Sequence, residues 1–167
     1  PEMVRLAGGT PVIVETTQES KFKLDPAILK AAITKKTRAF IFNSPSNPTG
    51  TVYEKSEIEK IAKVFEGTDV LVLSDEIYEK LIYSNQGFSS FASFSKDAYE
   101  RTITVNGFSK AYAMTGYRLG YAAGPKEIIA AMTLIQGQST SNATSVVQKA
   151  AIRALSLPDS DLKPMVG

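Results

Sequence analysis

The stretch Asn106 to Gly120, NGFSKAYAMTGYRLG, sets one lysine, Lys110, among small residues, with Arg118 eight positions on. A lysine in a desolvated setting gives up its proton at moderate cost, and the free amine attacks carbonyl carbons to form a Schiff base. A guanidinium grips a phosphate through paired hydrogen bonds, which an ammonium does less specifically. Two further polar segments could join them: SPSNPTG, Ser44 to Gly50, and SDEIY, Ser74 to Tyr78. The chain contains no histidine and no cysteine. That excludes histidine-based triads, thiolate nucleophiles, disulfides and histidine or cysteine metal sites built from this chain. Any chemistry rests on Lys, Asp, Tyr, Asn, Ser and Arg.

The elements that would carry these residues follow from the hydrophobic pattern. Thr10–Glu15 (TPVIVE) is β-branched and short, after a GG turn, and is expected to be a strand. Leu24–Thr34 is expected to be a helix capped by Asp25, with Pro26 in its first turn and Ile28, Leu29, Ala32 and Ile33 on its inner face. Arg38–Asn43, Asp69–Ser74, Thr102–Asn106 and Leu119–Gly124 are apolar strand candidates. Lys55–Gly67 has the pattern of an amphipathic helix, with Ile58, Ile61, Ala62 and Phe65 inward and Gly67 closing it. PKEIIAAMTLIQ, opening at Pro125, and TSVVQKAAIRAL are two more helices, with the polar segment Gln136–Thr144 as the loop between them.

Strands alternating with helices point to an α/β fold, three layers as α/β/α around a mostly parallel sheet, with room for antiparallel pairings. In such sheets ligands bind at the carboxyl ends of strands. Asn43–Gly50 follow one strand, Asp75 follows a second and Lys110 lies just past a third. A strand-end aspartate can hold a protonated pyridine nitrogen, and tyrosine and asparagine can donate to a phenolate oxygen. With the lysine and the arginine, these groups describe pyridoxal phosphate, whose electron sink an aspartate on the ring nitrogen completes.

The motifs NSPSNPTG, SDEIYEKLIY, NGFSKAYAMTGYRLGYAAGPKEII and QGQSTSNATS occur in this order over nearly the whole chain. In them the chain resembles the class I, fold-type I, pyridoxal-phosphate-dependent aminotransferases, bacterial-type aspartate aminotransferase branch. The resemblance implies a role for each matching position. Lys110 would hold the cofactor as a Schiff base and shuttle the proton between the substrate α-carbon and the cofactor. Asp75 would pair with the pyridine nitrogen. Tyr78 would hydrogen-bond the phenolic oxygen. Asn47 would donate to the same oxygen and sit near the substrate α-carboxylate. Arg118 would clamp the phosphate. Gly107 stands where the family often has a phosphate-binding serine, so Ser109 is offered only as a weak substitute. Glu76 is expected to be solvated or ion-paired, and Tyr53 and Tyr83 structural. Asn47-Pro48 is expected to be a cis bond ahead of Ser44-Pro45.

The resemblance further implies transamination from an L-amino acid, aspartate first, to a 2-oxo acid such as 2-oxoglutarate, by a homodimer toward whose second site Gln136–Thr144 would reach. Related outcomes on the same lysine and aspartate are aromatic or prephenate transamination and C–S lyase chemistry; a third is a non-catalytic sensing domain of a regulator. The composition fits a globular protein, with 43% apolar and 22% charged residues. Its charge of +2, from 19 basic and 17 acidic residues, is too balanced to point to nucleic acid or an acidic membrane. Lys35, Lys36 and Arg38 have the pattern of a solvated helix end. No membrane-length apolar run or leader pattern is present, so a cytoplasmic location is the default. With no terminal signal at Pro1 or at LKPMVG, a fragment is expected: one domain over residues 1–167, the later part of a cofactor-binding large domain, inactive alone.

Overall fold

The computed structural model describes residues 1–162 and 164; the last residues of the expected 1–167 domain lie outside that range. The helices are α1 (Glu2–Leu6), α2 (Pro26–Ala32), α3 (Lys55–Lys63), α4 (Lys96–Arg101), α5 (Lys126–Ser139), α6 (Ser145–Leu155) and α7 (Asp159–Leu162). The strands are β1 (Ala39–Asn43), β2 (Leu71–Asp75), β3 (Thr102–Gly107) and β4 (Gly120–Ala123). They form one sheet in the order β1-β2-β3-β4, with the first three parallel and β4 antiparallel to β3.

Strand alternation decides what faces the core. Phe40 and Phe42 of β1 and Val72 of β2 turn to one face and meet Leu29 of α2, Ile58 and Ile61 of α3, Phe65, Phe91 and Ala98. Phe65 is fully buried, with Phe40 at 5.2 Å and Phe91 at 6.5 Å between ring centroids. Phe42 meets Tyr53 at 5.0 Å and Phe91 at 5.8 Å, both edge-on. Ile41, on the opposite face of β1, is 48% exposed. A second, smaller cluster sets Ala151 and Ala154 of α6 against Phe108.

Local chemistry sets the ends of the elements. Asp25 caps α2 by accepting from the Ala27 amide at 2.7 Å, with Pro26 in the first turn as expected. Glu57 reaches back to the Glu54 amide at the start of α3 and also takes Lys23 Nζ at 2.6 Å. The chain leaves the turn after α3 through Gly67 at φ +73°, a conformation that suits a residue without Cβ. Arg101 of α4 donates to the Thr68 and Val70 carbonyls at 2.8 and 2.7 Å and pairs with Asp97, which bolts α4 to the entry of β2.

Three expectations are corrected. Thr10–Glu15 is not a strand: it is irregular, with Val12 69% and Ile13 64% exposed, and only Val14 packs on the core. Its β-branched side chains favour extended backbone, but a strand also needs a neighbour to bond, and no sheet strand among the described residues pairs with it. Ile28 is 53% exposed, because the short helix α2 turns Leu29 and not its neighbour inward. The polar segment from Gln136 is no loop at first. Helix α5 continues to Ser139, closed by the Thr140 amide on the Gln136 carbonyl at 3.0 Å, and only Thr140–Thr144 connect to α6. Asn47-Pro48 is cis as expected, and Ser44-Pro45 is cis as well.

Phe65→Ala should lower stability by about 3–5 kcal/mol, because it removes a fully buried ring from the centre of an aromatic cluster. Urea denaturation checks this; a loss under about 1 kcal/mol would mean that the cluster does not hold α3 to the sheet.

Candidate active site

Three loops leave the carboxyl edge of the parallel strands side by side. The register pairs Asn43 with Asp75 and Asp75 with Val105, so β1 and β2 end level and β3 runs on to Gly107. Asn43 ties the first two loops together. Its amide nitrogen donates to the Asp75 carbonyl at 3.1 Å, and its side-chain oxygen accepts from the Asn47 amide at 2.9 Å. The Ser44 amide adds a bond to the Asp75 carbonyl at 3.2 Å. Asn43 was not picked out from the sequence as a site residue. The signal was present: a polar amide closing an apolar strand has its side chain free to organise the loop that follows.

Asp75 is half-buried, and its Oδ1 accepts from the Ile77 amide at 3.1 Å, so its own turn orients the carboxylate. Tyr78, one turn later, receives a hydrogen bond from Asn47 Nδ2 on its hydroxyl at 3.1 Å. Lys110 Nζ stands 5.5 Å from the centre of the Tyr78 ring, a cation–π distance. Asn47, Tyr78 and Lys110, which come from three separate segments, therefore meet. Asn47 and Tyr78 also line a cleft of about 490 Å³ with Pro48, Leu81 and Tyr83.

Arg118 follows Lys110 by eight residues. It is exposed, takes φ +53°, and its guanidinium donates to the Thr115 carbonyl at 2.9 Å. It borders a second cleft of about 560 Å³ with Asn142, Thr144 and Val147. Ser109 and Arg118 are linked through Thr115, whose hydroxyl donates to the Ser109 carbonyl at 2.9 Å. Gly107 faces β4. A Cβ there would lie 3.0 Å from the Leu119 carbonyl oxygen and 3.1 Å from Ile77 Cδ1, so its missing side chain serves the β3–β4 approach.

Tyr53 is structural as expected: its buried hydroxyl accepts from the Leu24 amide at 2.8 Å. Glu76 departs from expectation. It is 3% exposed, with no ion pair to a cation among the described residues, and its Oε1 accepts from Ser74 Oγ, Ser90 Oγ and the Phe91 amide at 2.9, 2.9 and 3.1 Å. Strand alternation explains it: Val72, Ser74 and Glu76 continue one face into the core, and Asp75 takes the other. Burial, offset in part by those three donors, pushes the Glu76 carboxyl above its usual range. Glu79 is raised too, by burial first, with Lys80 and Asn106 opposing.

The aminotransferase class I and II family model matches residues 1–166. The aspartate aminotransferase of Bacillus sp. (strain YM-2) is 50% identical over 99% of this chain and 42% of its own length. The aspartate/prephenate aminotransferase of Cereibacter sphaeroides is 52% identical over 97% of this chain and 41% of its own. The crystal structure of the Rhizobium meliloti aspartate aminotransferase superposes with a TM-score of 0.95 at 40% identity, over 99% of this chain and 42% of that one. The chain belongs to the class I and II aminotransferase family, and its α/β sheet is part of that family's large domain. It spans about two fifths of the length of the curated relatives it matches.

A raised folded-state pKa means that the Glu76 carboxyl is favoured protonated. Its contribution is full below the ordinary value of 4.5 and is lost as pH rises through the folded value. Glu76→Gln, which keeps an acceptor oxygen and cannot ionise, should therefore gain stability relative to the parent as pH rises above 4.5. Urea midpoints measured from pH 4 upward read this directly; parallel curves for the two proteins would contradict it.

Proposed function

We propose that this chain is part of a pyridoxal-phosphate-dependent aminotransferase, a cytoplasmic homodimer that moves the amino group of aspartate to a 2-oxo acid such as 2-oxoglutarate. The observation that carries the reading is the meeting of Asn47, Tyr78 and Lys110 beside Asp75 at one edge of three parallel strands. This donor set fits pyridoxal phosphate: an amine, a carboxylate, a phenol paired with an amide, and a guanidinium. When bound, the cofactor supplies an aldehyde that condenses with amines and a ring that takes up electrons from the substrate α-carbon.

Lys110 is the amine that would hold that aldehyde, and its Nζ would carry the proton taken from the substrate. It is half-buried, with its Nζ beside the Tyr78 ring. Asp75 would keep a proton on the ring nitrogen through its carboxylate, a charge-assisted hydrogen bond. Asn47 and Tyr78 would donate to the ring oxygen. The bond between them fixes their spacing before any ligand arrives. Arg118 would hold the phosphate, with Ser109 as a weaker contact. Asn47 would also face the substrate carboxylate. The exposed polar end of α5 and Thr140–Thr144 would reach the partner subunit. Prephenate is a second candidate acceptor, supported by the name of the Cereibacter relative.

Full-length protein mixed with pyridoxal phosphate should give a pH-sensitive visible absorbance band, and Lys110→Ala should abolish it. Aspartate should then bleach the wild-type band, and 2-oxoglutarate or prephenate should restore it. Asp75→Asn should cut turnover by roughly 10²–10⁴-fold while the band remains. Absence of any band with the wild type would end the cofactor reading. The 167 residues alone should show no turnover; clear transamination by them would show that the rest of the chain is dispensable.

A further inference from the structure

Glu76 has no assigned role at the cofactor, yet it ties down the loop that carries Asp75 and Tyr78. Its amide donates to the Val105 carbonyl of β3 at 2.9 Å, and its carbonyl accepts from the Glu79 amide at 3.0 Å. Its side chain collects three neutral donors on one oxygen: Ser74 from its own strand, and Ser90 and Phe91 from a segment fourteen residues on. Burying a carboxylate is unfavourable, and packing alone would be served better by an apolar side chain. What an apolar residue cannot do is accept the buried Phe91 amide and orient the segment bearing it.

We infer that Glu76 is a positioning residue: its carboxyl oxygen clips Ser90–Phe91 to the end of β2 and so aims Asp75 and Tyr78, on either side of it, at the ligand. Asp75 precedes the clip on the opposite face of the strand, and Tyr78 follows it within the same turn. Phe91 is itself locked against Phe42 and Phe65, so the clip refers the site to the aromatic core and not to a mobile loop. Because all three donors are neutral and share Oε1, the acceptor oxygen does the work and the charge does not. What the clip positions rests on the cofactor reading above; the clip itself does not.

The test compares Glu76→Ala, Glu76→Gln and Ser90→Ala in the full-length protein. Pyridoxal phosphate affinity and the pH midpoint of its absorbance band are measured first. Hydrogen exchange over residues 75–78 and 90–91 is then followed without cofactor. Glu76→Ala should weaken cofactor binding on the order of tenfold, move the band's midpoint and speed exchange in both segments. Glu76→Gln should restore all three, and Ser90→Ala should fall between. A folded Glu76→Ala with wild-type affinity, midpoint and exchange would overturn the inference, as would a Gln variant as impaired as the Ala variant. If Glu76→Ala does not fold, Ser90→Ala decides: unchanged exchange at 75–78 and 90–91 overturns the clip, and faster exchange supports it. If the wild type shows no band, the cofactor reading falls, and the exchange data still judge the clip.

Discussion

Everything at the candidate site depends on the register of three parallel strands. Parallel neighbours cannot be joined by a tight turn, so each strand must be followed by a crossover that returns the chain to the far edge. The loops that share the carboxyl edge are therefore distant in sequence, starting at Asn43, Asp75 and Gly107. A slip of one residue in β2 would exchange faces, turning Asp75 into the aromatic core and Glu76 toward the ligand side. The pairing of Phe40 with Val72 and Phe42 with Ser74 prevents it, because Phe40, Phe42 and Val72 belong to the packed face. The packing of the core and the direction of the site carboxylate are one constraint.

Above the strands, polar links take over from packing. Asn43 joins the Asn47 loop to β2, Glu76 joins β2 to Ser90–Phe91, and Thr115 joins the Lys110 turn to Arg118. Each supplies an acceptor or donor to backbone that no longer has a ladder partner. These links also explain why the loops are specific in shape although Asn47 and Arg118 are exposed. A site built on strand ends and braced in this way holds its groups before a ligand arrives, which spares the ligand that ordering cost.

Much of this was legible from residue types. The α2 cap, the amphipathic face of α3, the four sheet strands and the segments carrying Asn47, Asp75, Tyr78 and Lys110 follow from pattern and turn chemistry. Thr10–Glu15 did not, because strand propensity says nothing about whether a partner strand is adjacent. The length of α5 did not, because Gly137 reads as a helix end, whereas a single glycine inside a helix is tolerated at a cost of about 1 kcal/mol. Glu76 was misplaced because a glutamate is nearly always on the surface, and that expectation outweighed the alternation that placed it inside.

By itself the sequence determined which chemistry is open to this chain: with no histidine or cysteine, the lysine, carboxylate, phenol, hydroxyl, amide and guanidinium groups remain. It also determined most of the elements, since local periodicity and capping are properties of neighbouring residues. Only the tertiary structure decided that Asn47 bonds Tyr78, that Lys110 lies over the same ring, and that Arg118 and Ser109 connect through Thr115. It alone decided that adjacent acids Asp75 and Glu76 have opposite fates. Those outcomes depend on strand order, register and faces, which are set by contacts between residues tens of positions apart.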